Sequence, residues 1–343
     1  MAVYTAIDDP EAYFQTVLYT GDTSAQSITL PGDTNMQPDM VWIKVRSASA
    51  YGVIQDSVRG VTGTDSYNII TTAASTDVSD AITALNSDGF TVGTDANDRS
   101  NYDSQTHVAW CWKETATAGF DIVSYTGNGS ARTISHSLSA VPKMFIIKNK
   151  SASSGDTGWG VYHVSNGNTH FLELNLNAAK DESSGLFNDT TPTSSVFSVG
   201  DNSRVNTNTE TYIAYLFAEK QGFSKFGSFV GNGSLNGTFC YTGFRPAFVM
   251  LKCSSHASSN WVMLDNKRSN PFNDATCPDA LYANDNASEA TASPWVDLVS
   301  NGFKCRGYNE GNTINASTSH TYIYMAFAEA PFVNSNGVPC NAR

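Results

Sequence analysis

The chain has 343 residues, with 20 Lys plus Arg against 32 Asp plus Glu, a net charge of −12 and a hydrophobic fraction of 40%. An acidic chain without a basic cluster is a poor ligand for nucleic-acid phosphate, and no run of eighteen apolar residues offers a membrane span. The length is too great for one ordinary sandwich and suits two or three domains.

Met1 to Phe14 lacks a basic stretch followed by an apolar run, so no export signal is expected. Asp9-Pro10-Glu11 supplies an N-cap, a proline at the first helical position and an early acid, which predicts one or two helical turns over 9–16. Residues 1–16 are read as an N-terminal arm that anchors the chain to a partner.

Beyond the arm, four landmarks recur three times in the same order, the signature of an internal repeat. The first is a strand running into a tight turn: Tyr19-Thr20-Gly21-Asp22, Tyr125-Thr126-Gly127-Asn128 and Phe229-Val230-Gly231-Asn232. The second is a proline followed by an apolar run closing on lysine: Pro38 to Lys44, Pro142 to Lys148 and Pro246 to Lys252, with successive prolines 104 residues apart. The third is an aromatic-apolar segment beginning at Tyr51, Trp159 and Trp261. The fourth closes each unit at Glu114, Glu219 and Glu329. The middle unit reads as about seven short strands separated by Gly/Asn/Asp/Ser turns, a density that means a sandwich or jelly roll. Its closing strand alternates Ile213, Tyr215 and Phe217 with Ala214 and Leu216, apolar on both faces, and so belongs in the middle of a sheet touching two layers. The units are placed at 17–119, 120–223 and 224–330, with a C-terminal tail over 331–343.

No Gly-x-Ser-x-Gly elbow occurs. His107 aligns with Tyr212 and Tyr322, a position that asks for a large packed ring. Cys253 and His256 lie three apart with no second pair at metal-ligand spacing. Asp95 to Asp98 and Asp285-Asn286 offer oxygens in loops without the spacing of an EF-hand. The closing glutamates recur once per unit, which suits a strand-end hydrogen bond better than paired catalytic acids. The glycine-rich segments lie between strands and are turns. The six cysteines show no repeated spacing and read as reduced thiols. Trp159, Trp261 and Trp295 lie beside polar loops and are the candidates for stacking on sugar rings, with core burial the competing role for the first two. No catalytic, cofactor-binding or metal-ligating residue is assigned.

The unit formed by Tyr125 to Gly129, Val141 to Asn149 and Tyr212 to Glu219 resembles repeats in structural proteins of marine tailed phages, over nearly the entire chain. The opening Met1 to Pro10 is similar to the start of such proteins. The resemblance implies concanavalin-like or laminin-G-like sandwiches in virion appendages, tail fibres or capsid decorations, and brings no catalytic residues with it. The first unit departs in its closing strand, where Trp110-Cys111-Trp112-Lys113 replaces the Leu-Phe-Ala type, so a different packing partner is expected there.

The expectation is therefore an all-β chain of three tandem antiparallel β-sandwich domains, acting without enzymatic activity or cofactor on a virion surface after synthesis in the host cytoplasm. Its expected partners are other tail or capsid proteins, reached through the N-terminal arm, further copies of itself in a homo-oligomer such as a trimer, and a host surface glycan. The alternatives are a carbohydrate-binding lectin or a carbohydrate-active enzyme with sandwich domains. No heptad pattern supplies a coiled-coil shaft.

Overall fold

A computed structural model describes residues 4–61, 69–70, 80–95, 98–151, 158–268, 279–289, 296–307 and 314–340. These residues form an all-β structure of antiparallel sheets that pack in pairs. The seven strands expected in the middle repeat are all present, at Phe120–Thr126, Arg132–Ser135, Pro142–Asn149, Trp159–His163, His170–Glu173, Val196–Val199 and Thr211–Ala218. In the arm, Asp9 caps a single 3₁₀ turn, Pro10–Ala12, by accepting the Glu11 amide at 3.2 Å; the helical turns expected over 9–16 stop there, because from Phe14 onward the chain pairs as a strand with the closing strand of the first repeat.

One strand order occurs three times. The opening strand of each repeat pairs with the closing strand, the closing strand with the proline strand, and that with the aromatic strand. In the first repeat these are Phe14–Thr20, Thr106–Trp112, Met40–Val45 and Val53–Asp56, and in the last Ser224–Val230, Thr321–Pro331, Phe244–Cys253 and Val262–Asp265. Each large sheet is accompanied by a small one. Gln26–Ile28 lies with Gly89–Val92 and Ile82–Asn86, Arg132–Ser135 with Val196–Val199, and Phe239–Tyr241 with Gly302–Cys305 and Val296–Val299.

Period-two alternation decides what each closing strand touches. In the middle repeat Tyr212, Ala214, Leu216 and Ala218 share a core with Ile134, Phe197 and Val199 of the small sheet. Ile213, Tyr215 and Phe217, on the opposite face, join a second core that contains residues of all three repeats. The first repeat divides the same way. Ala109 and Cys111 pack with Ile28, Phe90 and Val92, whereas Val108, Trp110 and Trp112 enter the shared core.

The centre of the shared core is a triangle of equivalent aromatics. Trp112 pairs with Met40, Phe217 with Met144 and Phe327 with Phe248, so the three rings stand at one register position of their repeats. Their centroids are 6.5 Å apart for Trp112 and Phe217, 5.7 Å for Trp112 and Phe327, and 6.0 Å for Phe217 and Phe327, all edge to face. The unusual closing strand of the first repeat thus puts Trp112 where the others put phenylalanine, around an approximate threefold axis.

A second threefold set fixes the turn after each opening strand. The buried side chains of Asn101, Asn206 and Asn315 accept the amides of Asp22 (3.0 Å), Asn128 (3.0 Å) and Asn232 (2.9 Å). Each also donates its amide to the carbonyl of Ser24, Ser130 or Ser234, at 2.7, 2.6 and 2.9 Å. The glycine of each turn lets the asparagine loop approach: a Cβ on Gly21, Gly127 or Gly231 would lie 2.2 Å from Tyr102 O, 2.0 Å from Thr207 O or 2.7 Å from Ser317 O. His107 stacks on Tyr19 at 4.8 Å as Tyr212 stacks on Tyr125 at 5.2 Å and Tyr322 on Phe229 at 5.0 Å. Its Nε2 accepts the Tyr102 amide at 3.3 Å, as the Tyr212 and Tyr322 hydroxyls accept those of Thr207 and Ala316 at 2.7 and 2.9 Å.

Because the core is shared, Phe327→Ala is expected to weaken the whole chain by ~3–5 kcal/mol. Urea unfolding followed by tryptophan fluorescence, which reports on the first repeat through Trp110 and Trp112, should show that loss in one transition. A separate, unshifted tryptophan transition would contradict a common core.

Candidate functional site

The aromatic strand of each repeat ends at one register position, occupied by Asp56, His163 and Asp265, which pair with Met40, Met144 and Phe248. Each side chain reaches the closing strand of another repeat. Asp56 accepts the Tyr215 hydroxyl at 2.7 Å, His163 Nε2–H donates to the Tyr324 carbonyl at 3.1 Å, and Asp265 accepts Trp110 Nε1–H at 3.0 Å. The first repeat thereby holds the second, the second the third, and the third the first, in a closed ring.

Each polar group in that ring is compensated. Asp265 and Arg268 are fully buried and joined at 2.6 Å, and Arg268 also donates to Met263 O at 2.7 Å and pairs with Glu289 at 2.9 Å. Asp56 and Arg59 repeat the arrangement at the same i,i+3 spacing, with Arg59 donating to Ile54 O at 2.9 Å. In the middle repeat histidine replaces the ion pair. His163 Nδ1 accepts the Ser165 amide at 3.2 Å while Nε2–H faces a carbonyl, so the neutral ring satisfies both contacts, and burial pulls its pKa down to about 4. Lys44 adds to the contact between the first and last repeats: its Nζ donates to the carbonyls of Tyr282 (3.0 Å) and Asp285 (2.5 Å), and burial pulls its pKa down to about 7.

The residues singled out from sequence fall mainly within this framework. Trp159 and Trp261 are 0% and 1% exposed, which corrects their reading as sugar-stacking residues. Both indoles are packed inside, and Trp261 Nε1–H donates to the Glu173 carbonyl of the middle repeat at 2.9 Å. Trp295 and Cys277 lie outside the described residues. Asp95 Oδ2 is taken by the Arg99 amide at 2.8 Å, the Ser100 amide at 2.5 Å and the Ser100 hydroxyl at 2.9 Å. Cys253 is buried, whereas His256 lies at the surface with its ring 4.0 Å from that of His320. Glu114 accepts the Ile122 amide at 3.0 Å, Glu219 pairs with Lys225 at 2.7 Å, and Glu329 with Arg245 at 2.8 Å. Burial and the neighbouring carboxylates of Asp121 and Asp39 push the Glu114 carboxyl up to about 7.

The sequence reading missed the ring residues and the three asparagines. Asp56-x-x-Arg59 recurs as Asp265-x-x-Arg268, and Asn101, Asn206 and Asn315 follow the repeat spacing, so both signals were present. The apolar landmarks that mark the repeat do not include these polar positions.

The N-terminal arm is docked on its own chain. The Ala6 amide donates to Gln221 O at 3.0 Å, and Asp8 accepts the Ser335 amide of the C-terminal tail at 2.7 Å. Between arm, tail and the junction of the second and third repeats lies an open groove of about 570 Å³, lined by Tyr4, Glu219, Gln221, Lys225, Tyr241 and Phe332. Tyr4 and Tyr241 are 55% and 59% exposed. Surface aromatics beside paired donors and acceptors make this groove the candidate functional site.

Residues 9–331 match the family model described as a domain of unknown function, DUF7483. None of the curated proteins matches the chain.

Two outcomes follow from the ring. Asp265→Ala leaves Arg268 buried with one carboxylate fewer and should cost ~3–5 kcal/mol, measured by chemical denaturation, with part of the loss recovered in Asp265→Ala/Arg268→Met. The second concerns pH. The folded state resists protonating His163, so this group's contribution is complete above the free-histidine pKa of 6.5 and declines as pH falls toward about 4. His107, also held near 4 by burial, adds the same dependence. Melting temperatures between pH 6.5 and 4 should fall less steeply in His163→Gln than in the parent; an unchanged slope would remove His163 from the acid response.

Proposed function

We propose, for a chain that belongs to the DUF7483 family, a non-enzymatic role as a surface protein of a tailed-phage virion, in a tail appendage or as a capsid decoration. The observation that carries this reading is the closed ring, which joins the ends of a long chain into one body suited to display on a particle. The phage-repeat resemblance of the sequence supports the setting. Against a hydrolase reading, the ring's carboxylates bind arginines, and His107 and His163 hold backbone groups, which leaves these groups committed to the fold.

In this proposal each repeat is a sandwich domain of the concanavalin or laminin-G type. The chain is made in the host cytoplasm, is held by other virion proteins through the N-terminal arm, and contacts a host surface glycan with the groove. A free lectin is the second reading, favoured by the same exposed aromatics.

Mass spectrometry and immunogold labelling of purified particles of the encoding phage test the setting. Stoichiometric recovery with surface labelling is expected, and recovery only in the soluble lysate would replace this reading with the lectin. Light scattering of the purified chain then assigns the position. A stable trimer or larger ring places it in a tail appendage, and a monomer unchanged by chelator makes it a decoration ordered by the capsid.

A further inference from the structure

The three repeats act as internal controls for one another, and at one pair of positions they disagree. In each small sheet the edge strand turns one residue inward, Ile28, Ile134 or Cys240, opposite Phe90, Phe197 or Phe303. The two residues flanking it face solvent. They are Ser27 and Thr29 in the first repeat, Thr133 and Ser135 in the second, and Phe239 and Tyr241 in the third. The fold is satisfied by hydroxyls at these positions twice, yet the third repeat leaves two aromatic rings 45% and 59% exposed. Exposed aromatics on an open sheet edge carry an aggregation cost, so a binding role is the physical reason to keep them.

Alternate residues of a strand lie about 6.8 Å apart on one face, which sets the rings side by side. The Phe239 ring lies over Gly302, where a Cβ would be 3.2 Å from Cε2, and a Cβ on Gly243 would be in ordinary contact with the Tyr241 hydroxyl at 3.6 Å. Tyr241 also lines the groove, where Tyr4 presents a third ring and Glu219 and Lys225 neutralise each other at 2.7 Å. Two exposed aromatic rings beside a polar groove without net charge fit a ligand that is apolar on one face and hydroxylated at its rim. Their negative ring faces attract the C–H groups of such a ligand. The chain's net charge of −12 opposes polyanions.

We infer that Phe239 and Tyr241, with the adjoining groove, form a subsite for the pyranose rings of a neutral polysaccharide. This rests on the glycan-contacting part of the function proposed above and names the residues and the ligand class.

The test is native affinity electrophoresis of the full chain in gels containing laminarin, agarose or dextran, with alginate as the anionic probe. The expected result is retardation by at least one neutral polysaccharide, weakened at least tenfold in Phe239→Ser/Tyr241→Thr, which installs the hydroxyls found in the other repeats. An unchanged melting temperature controls for folding, and Tyr241→Thr alone leaves the cover of Gly302 in place. Equal retardation of parent and variant would overturn the subsite and leave glycan contact standing. Retardation by alginate alone would overturn the neutral class, and no retardation by any probe would overturn glycan contact itself. A parent dimer that becomes monomeric in the variant would assign the rings to self-association instead.

Discussion

A strand that is apolar on both faces needs cover on both sides, and each of the three closing strands is of this kind. One face is covered by the small sheet of the same repeat. The other is covered by equivalent faces of the other repeats, since among the described residues each unit has one large and one small sheet. Three such faces meeting at Trp112, Phe217 and Phe327 enclose a common core.

Closure follows from that arrangement. Asp56, His163 and Asp265 each point from one repeat into the next closing strand, and a third step of the same kind returns to the start. The polar cost is met in two chemical ways. Buried aspartate with arginine serves two junctions and a neutral histidine serves the third, where the buried ring resists protonation. The N-terminal arm docks through Ala6 on Gln221 and through Asp8 on Ser335 of the C-terminal tail.

The contrast between framework and surface gives the functional argument its direction. Positions that hold the framework repeat: the asparagine clasp, the aromatic stack on each opening strand, the turn glycine. Where equivalent positions diverge outside the framework, as at Phe239 and Tyr241, packing does not explain the difference. Trp159 and Trp261 illustrate the reverse. They looked available beside polar loops, yet Trp159 lies in, and Trp261 directly before, a strand whose side chains are all buried.

The sequence by itself determined the all-β class, the three repeats, the strands of the middle unit and the two-sided closing strand. Each of these rests on local periodicity or on spacing along the chain, which the pleat and the turns impose directly. Tertiary structure alone decided which face met which partner. Nothing local distinguishes a tryptophan packed between repeats from one presented to solvent, and Asp56 and Tyr215 are far apart in sequence. The ring, the shared aromatic core and the groove between the two chain ends are long-range juxtapositions, fixed when three surfaces that could not be left exposed closed on one another.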